Sequence, residues 1–513
     1  MRPEFYREQW QQLQAAASAA TGEAQAEQVE SLAARVANSF IDRYFYSDEY
    51  NADYIQLLCE MATAFDDDAL NNIAAQALFG IIIERLCDDF EELQTETYNR
   101  LISQVIGFLR QLPEGAELHA QLNDFDLGSE QALFRRIESI RLQPDQPVPA
   151  DATPEKILIL SRVTIGADIA ITSVISQRVA SRFPNAEIVI IGNHKLRQIY
   201  AADSGMRVRE LSYIRRGGLL ERFAAWLALL DTVRDEVGDL PDEKFLLFDP
   251  DSRLTQLGVL PLVNDSQYRF FNSRGKPEYP PMASVSELAN LWLDAILQTS
   301  DSHHPAVWPP QAERELAGQL LEPTRASGRH IITLNLGVGG NERKRVGDEF
   351  EQELILHLLQ EKGREQDPDN LILLDLGFGT TERQRNEQII TAVEQAGFVA
   401  HTCKFADLNA IPNSQSSNIR LLGVECSVAE VAALIAHSQE FIGYDSACQH
   451  LAAALGIPTF TLFAGTTNPK FVRRWHACGP NRSEILFVDT ITRNAPIDNT
   501  EIIARLHDLR CSG

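Results

Sequence analysis

From residue 156 onward, short apolar runs recur, each followed by a glycine or polar turn and then a helical pattern. No other feature constrains the fold of this chain as strongly. KILILS (156–161), AEIVIIG (186–192) and KFLLFD (244–249) form a first series. After an irregular stretch, SDSHHPAVWPPQ at 300–311, come HIITLNLG (330–337), NLILLDLG (370–377), FVAHTC (398–403), RLLGVE (420–425), EFIGYD (440–445) and TFTLFAG (459–465). A strand that is apolar on both faces must be covered on both, which parallel βαβ units accomplish. The pattern predicts an α/β protein with two doubly wound domains, 156–322 and 323–513. Ligands of such folds bind at the carboxyl ends of the strands, in the cleft the two domains would enclose.

The first 140 residues follow a different rule. LAARVANSFIDRYF, YIQLLCEMATAF, IAAQALFGIIIERLCDDF and YNRLISQVIGFLRQL repeat apolar residues at i, i+3, i+4 and i+7, which predicts an all-α N-terminal domain over 1–140. Acidic clusters at 66–68 and 88–92 suit the solvated face of a bundle, or a surface for partner docking or self-association. No residue-level repeat marks a solenoid. The Pro-rich polar stretch 141–155, RLQPDQPVPADATPE, reads as an extended linker.

A length of 513 residues suits roughly three domains. The formal net charge of −26 repels phosphate backbones and anionic headgroups, so nucleic acid is not an expected partner. No run approaches the ~20 apolar residues of a transmembrane helix. The opening MRPEFYREQWQQLQ lacks a basic segment followed by an apolar one, so no secretory signal is read. The seven cysteines are scattered and form no Cys-x-x-Cys pair, which argues against a disulfide framework or a structural zinc. A cytoplasmic setting is expected.

The polar break in EFIGYDSACQHLAAALGIPTFTLFAG (440–465) carries the chemistry. Asp445 closes a strand and a helix is expected to open near Cys448 or Gln449, so backbone N–H groups at its start can stabilise an anion. Asp445 has the wrong sign for phosphate but can accept from a ribose hydroxyl. His450 can donate to a phosphate or a sugar oxygen. The competing reading makes Asp445 or Ser446 a helix cap and His450 an internally satisfied side chain.

The run D-S-x-x-x-H-L-A-A-A-L-G-x-P at 445–458, followed by a strand and a Gly-Thr turn, closely resembles the donor-binding signature of glycosyltransferase family 9. These heptosyltransferase-type enzymes build bacterial lipopolysaccharide cores and have two Rossmann-like domains, the GT-B fold. The resemblance spans about 155–510, is strongest at 427–469 and leaves out the N-terminal helical segment. It implies that Asp445 and Glu382 position the nucleoside of a nucleotide-sugar donor, ADP-heptose or a relative. It also implies that Lys344, Ser446, His450 and Thr466 hold the leaving diphosphate, and that Asp168 is the catalytic base. No cofactor and no metal are implied, and the acceptor is a glycan or a protein. The chain departs from the family at four places: Asp168 follows Ala167 where glycine is usual, Ala447 replaces a glycine, Gln449 is an atypical polar residue, and Ala464-Gly465 stands where Gly-Pro is usual.

Other signals are weaker. Asp249-Pro-Asp251 has the D-x-D spacing of metal-dependent glycosyltransferases but falls in the acceptor-side domain. The glycine turns GVGG (337–340) and GFG (377–379) complete neither a dinucleotide fingerprint nor a P-loop, so a dehydrogenase rests on fold alone. The rival functions are a non-catalytic nucleotide-sugar-binding or scaffold protein that uses the helical domain for docking, and a sugar-nucleotide epimerase on the same fold.

Overall fold

The computed structural model describes residues 2–16, 22–88, 90–213, 217–274, 276, 278–361, 369–377, 379–410, 418–492 and 496–512. Two parallel sheets form from the apolar runs. The first contains β1 (Lys156–Leu160), β2 (Glu187–Gly192), β3 (Arg207–Glu210), β4 (Phe245–Asp249) and β5 (Tyr268–Phe270), in the order β3-β2-β1-β4-β5. The second contains β6 (Ile331–Asn335), β7 (Leu371–Asp375), β8 (Ala400–Lys404), β9 (Leu421–Glu425), β10 (Glu440–Tyr444), β11 (Thr459–Phe463) and β12 (Ser483–Phe487), in the order β12-β11-β10-β6-β7-β9-β8.

Strands β3, β5 and β12 were not anticipated from the sequence. Each lies at a sheet edge, where one neighbour suffices and polar residues are tolerated. RVRE in β3 is largely exposed, and β5 is only three residues long. The central strands are buried from end to end, as their unbroken apolar runs require.

In both sheets the strand order reverses beside the domain's first strand, between β1 and β4 and again between β6 and β10. Crevices open at such switch points. Register then sets the detail: Asn335 aligns with Asp375 on one side and with Gly443 on the other, so the polar last residues of β6 and β7 stand side by side.

Helices precede the first sheet, among them Gly22–Ser47, Ala52–Met61, Glu92–Leu109 and Glu130–Leu142. The buried stripe Val29, Leu32, Ala33, Val36, Ala37 and Phe40 follows the predicted helical period. Asn51, Asp67 and Ser129 cap helices with side-chain oxygens.

This helical region does not keep a core of its own. A single buried apolar cluster runs from Phe40, Leu57 and Ile102 through Phe223 and Trp226 to Leu158, Leu160, Val189 and Ile191 on the first sheet. The Arg222 guanidinium lies 3.9 Å from the centre of the Phe79 ring, and Arg136 donates to the Gly258 carbonyl at 3.1 Å. The stretch 141–155 is also anchored: Val148 is buried, its N–H donates to the Ile296 carbonyl at 2.7 Å, and Asp145 pairs with Lys276 at 2.7 Å.

No helix among the described residues is long and apolar enough to cross a membrane. None of the seven cysteines is in a disulfide.

Candidate active site

At the carboxyl edge of the second sheet, Ser446 is the N-cap of the helix Ala447–Ala454, its Oγ accepting from the Cys448 N–H at 3.3 Å. The helix therefore opens at Ala447, slightly earlier than the sequence pattern suggested. Asp445 is not a cap. One of its carboxylate oxygens accepts from Lys344 Nζ at 2.5 Å and the other from Gln449 Nε2 at 2.8 Å. Lys344 closes the short turn Glu342–Lys344 after β6, and its ammonium stands 5.7 Å from the centre of the Phe471 ring.

His450 is buried, and among the described residues its Nδ1 has no hydrogen-bond partner. Burial lowers its pKa to about 4, which keeps the imidazole neutral and able to donate from one nitrogen near pH 7. Its ring meets Trp475 edge to face at 6.2 Å. Thr466 Oγ1 accepts from the Asn468 N–H at 3.1 Å, in the loop after β11. That loop packs tightly on the lysine turn, since a Cβ on Gly465 would lie 2.1 Å from the Arg343 carbonyl oxygen.

Glu382 lies in the first turn of the helix Thr380–Gln395. Its carboxylate fits against two glycines: a Cβ on Gly337 would lie 3.3 Å from it, and one on Gly377 2.4 Å. Close approach of this side chain accounts for the glycine turns after β6 and β7. Lys344, Glu382, Asp445, Ser446, His450 and Thr466 thus all come to the same edge of the sheet.

Two members of this constellation escaped the sequence reading. Asn335 Oδ1 accepts from Ser446 Oγ at 3.1 Å, and Asn335 Nδ2 donates to Asp375 at 2.7 Å. Burial raises the Asp375 carboxyl to about 6. The available signal was a single polar residue ending each apolar run, in HIITLN and LILLD.

The first domain meets this edge directly. A Cβ on Gly166 would lie 3.2 Å from both the Ala447 Cα and the His450 Cδ2, so glycine here lets the turn after β1 rest on the helix Ala447–Ala454. The methyl of Ala447 lies against this same contact. Asp168 follows two residues later, at the start of a π-helical turn, Asp168–Thr172. Such a turn takes one more residue than an α-turn and is common at functional sites.

Asp168 is not the N-cap, a position held by Thr164. Its carboxylate is 1% exposed and accepts from Ser161 Oγ at 2.8 Å, the Arg162 N–H at 2.7 Å and Thr172 Oγ1 at 2.9 Å. Burial pushes its pKa up to about 6, against the pull of those donors.

The D-x-D carboxylates are bonded within the protein. Asp249 accepts from the Ser252 N–H, Thr255 Oγ1 and the Tyr268 hydroxyl, and Asp251 accepts from Ser273 Oγ and Arg274 and pairs with Arg162. Among the described residues His357, Glu361 and His507 lie close enough together to share a cation. Arg510 already holds both Glu361 oxygens, at 2.8 and 2.9 Å, which makes the group an ion-pair network.

The family model for glycosyltransferase family 9 (heptosyltransferase) matches residues 387–489. No curated protein matches the chain. A glycosyl transferase family 9 structure from Veillonella parvula DSM 2008 superposes with a TM-score of 0.50 at 11% identity, over 72% of this chain and 100% of that one. The E. coli ADP-heptose lps heptosyltransferase II gives a TM-score of 0.44 at 15% identity, over 69% and 98% of the two chains. The E. coli heptosyltransferase WaaC with ADP gives 0.44 at 14%, over 69% and 99%. Residues 387–489 thus form a glycosyltransferase family 9 (heptosyltransferase) region, borne on a two-sheet scaffold of the same fold as a solved family member and preceded by a helical region outside the family match.

Proposed function

We propose that this protein is an inverting glycosyltransferase that moves a sugar, heptose or a relative, from an ADP-linked donor to a glycan or protein acceptor. One observation carries the reading: Lys344, Asp445, Ser446, His450 and Thr466 converge at the switch point between β6 and β10, beside a helix N-terminus. The cation and the helix start would hold the departing diphosphate, and Asp445 and Glu382 the nucleoside. The acceptor oxygen attacks the anomeric carbon as the bond from that carbon to the diphosphate oxygen breaks, and the hydroxyl proton passes to Asp168.

A carboxyl at about 6 is well matched to that task near neutrality, because it is ionised yet still basic. The contact of Gly166 with His450 supports this placement of Asp168 beside the donor. Its three internal donors mean that the turn after β1 must loosen when the acceptor binds. Seven cysteines outside any disulfide support a cytoplasmic setting.

A thermal-shift screen of ADP-, GDP-, UDP- and dTDP-linked sugars tests the proposal. A ligand at 100 times its dissociation constant stabilises by ~2.7 kcal/mol, and the ADP sugar should give the largest shift. No shift with any donor would rule the reading out. Turnover should also survive EDTA, since Lys344 and the helix start do the neutralising. Loss in EDTA restored by manganese would give that role to a metal.

A further inference from the structure

We propose that Phe90, in the helical region, is a positioning residue for the donor site, which it reaches through an aromatic bridge across the domain junction. Phe90 is 5% exposed and has a φ of +55°, a left-handed backbone that a residue with a β-carbon holds only where its surroundings impose it. Its ring lies 6.4 Å from that of Phe471 and 6.2 Å from that of Trp475, both in the second α/β domain. These two rings in turn touch the site, Phe471 beneath the Lys344 ammonium and Trp475 edge-on to His450. The path from the helical region to two donor-site side chains therefore contains a single intervening ring in each branch.

Neighbouring contacts hold the bridge on both sides. Glu91 pairs with Lys470 at 3.1 Å. Arg474, 2% exposed, donates to the Pro280 carbonyl at 3.2 Å and also to that of Ala283, tying the short helix Pro469–Arg474 to the first α/β domain. Phe90 itself joins the apolar cluster that contains Ala283, Val285 and Phe271 of that domain. All three parts of the chain meet at 469–475. That segment is the scaffold on which Lys344 and His450 rest, and Phe90 is the helical region's hold on it. Without the ring, Phe471 and Trp475 have room to turn, and the ammonium and imidazole lose their fixed backing.

The test compares wild type, Phe90→Ala and Phe90→Leu as full-length proteins. The first measurement is amide hydrogen exchange without ligand, which does not depend on the donor reading. Faster exchange is expected at 342–347 and 469–476 in Phe90→Ala, with Phe90→Leu intermediate and the helix Gly22–Ser47 still protected. The second is calorimetric titration with ADP, which does rest on the donor reading. Affinity should fall by roughly two- to tenfold, the lower part of the range of coupling between residues in contact. Exchange gains confined to 84–109, with 469–476 unchanged, would mean that Phe90 only packs its own region. Unchanged ADP affinity in variants of a wild type that binds ADP would equally overturn the positioning role. A wild type that does not bind ADP counts against the ADP reading, and the exchange result then decides on the bridge.

Discussion

Replacing Lys344 by alanine removes the cation that stands 2.5 Å from Asp445 and over the Phe471 ring. The lysine is partly exposed but Asp445 is buried and keeps only Gln449 as a donor, so losing the pair should cost folding about 1–3 kcal/mol. A diphosphate contact with a charged group is worth about 1.5–3 kcal/mol, and ADP titration of Lys344→Ala should show that loss alongside a modest fall in melting temperature. Early melting with unaltered affinity would make the lysine structural. For Asp168 the expected signature is a pH profile. With the carboxyl at about 6, kcat/KM should climb with pH below that value and level off above it. Asp168→Asn should abolish that limb and cost about 10²–10⁴-fold in rate while leaving donor affinity intact. The stability signs of the two buried groups are opposite. Asp168 holds its proton more tightly when folded, so its contribution declines as pH rises from about 4 through 6. His450, lowered from 6.5 to about 4, is protonated first in the unfolded chain, so stability falls as pH drops through that window. His450→Gln should flatten the fall in melting temperature between about pH 6.5 and 5.

At the scale of elements, the site depends on the β11 loop seating against the turn Glu342–Lys344. Gly465 has a φ of +73°, and a Cβ there would collide with the Arg343 carbonyl, so Gly465→Ala must displace the lysine turn. Strain of this kind costs roughly 1–3 kcal/mol, readable in urea unfolding, and ADP affinity should fall with it because Lys344 moves. A variant with wild-type stability and affinity would show that the loop packs more loosely than the geometry implies. Elements differed in how legible they were. The buried central strands were plain from KILIL, IITLN and LILLD, because a strand covered on both faces must be apolar throughout. The edge strands β3 and β12 were not, since RVRE and SEILF face solvent and lack that signature. The π-turn at Asp168 had no sequence mark beyond the displaced glycine, and it decides how that carboxylate is held.

For the whole molecule, the continuous core makes a sharp demand on the N-terminal region. Leu158, Leu160, Val189 and Ile191 are fully buried in the cluster that also contains Phe40, Leu57 and Ile102. A chain beginning at residue 151 would expose that face, at a cost of about 1.5–3 kcal/mol for each large side chain uncovered. It should bind a hydrophobic dye strongly and lose its cooperative melt. A soluble 151–513 chain melting like wild type would show that the helical region is separable. The chain's own pattern pointed to the two parallel sheets, the helical start and the six residues Lys344, Glu382, Asp445, Ser446, His450 and Thr466, which come to one sheet edge. Apolar periodicity and turn chemistry are local properties; Asp445, Ser446 and His450 lie in a run that resembles a known signature, and Lys344, Glu382 and Thr466 were named from the wider resemblance around it. Tertiary structure alone decided that the helical region completes the first domain's core, that Asn335 and Asp375 join the site, and that Phe90 reaches it. It also decided that Asp168 is buried among three donors. These facts depend on which faces pack together and which polar groups lose water, and the residues involved lie up to hundreds of positions apart.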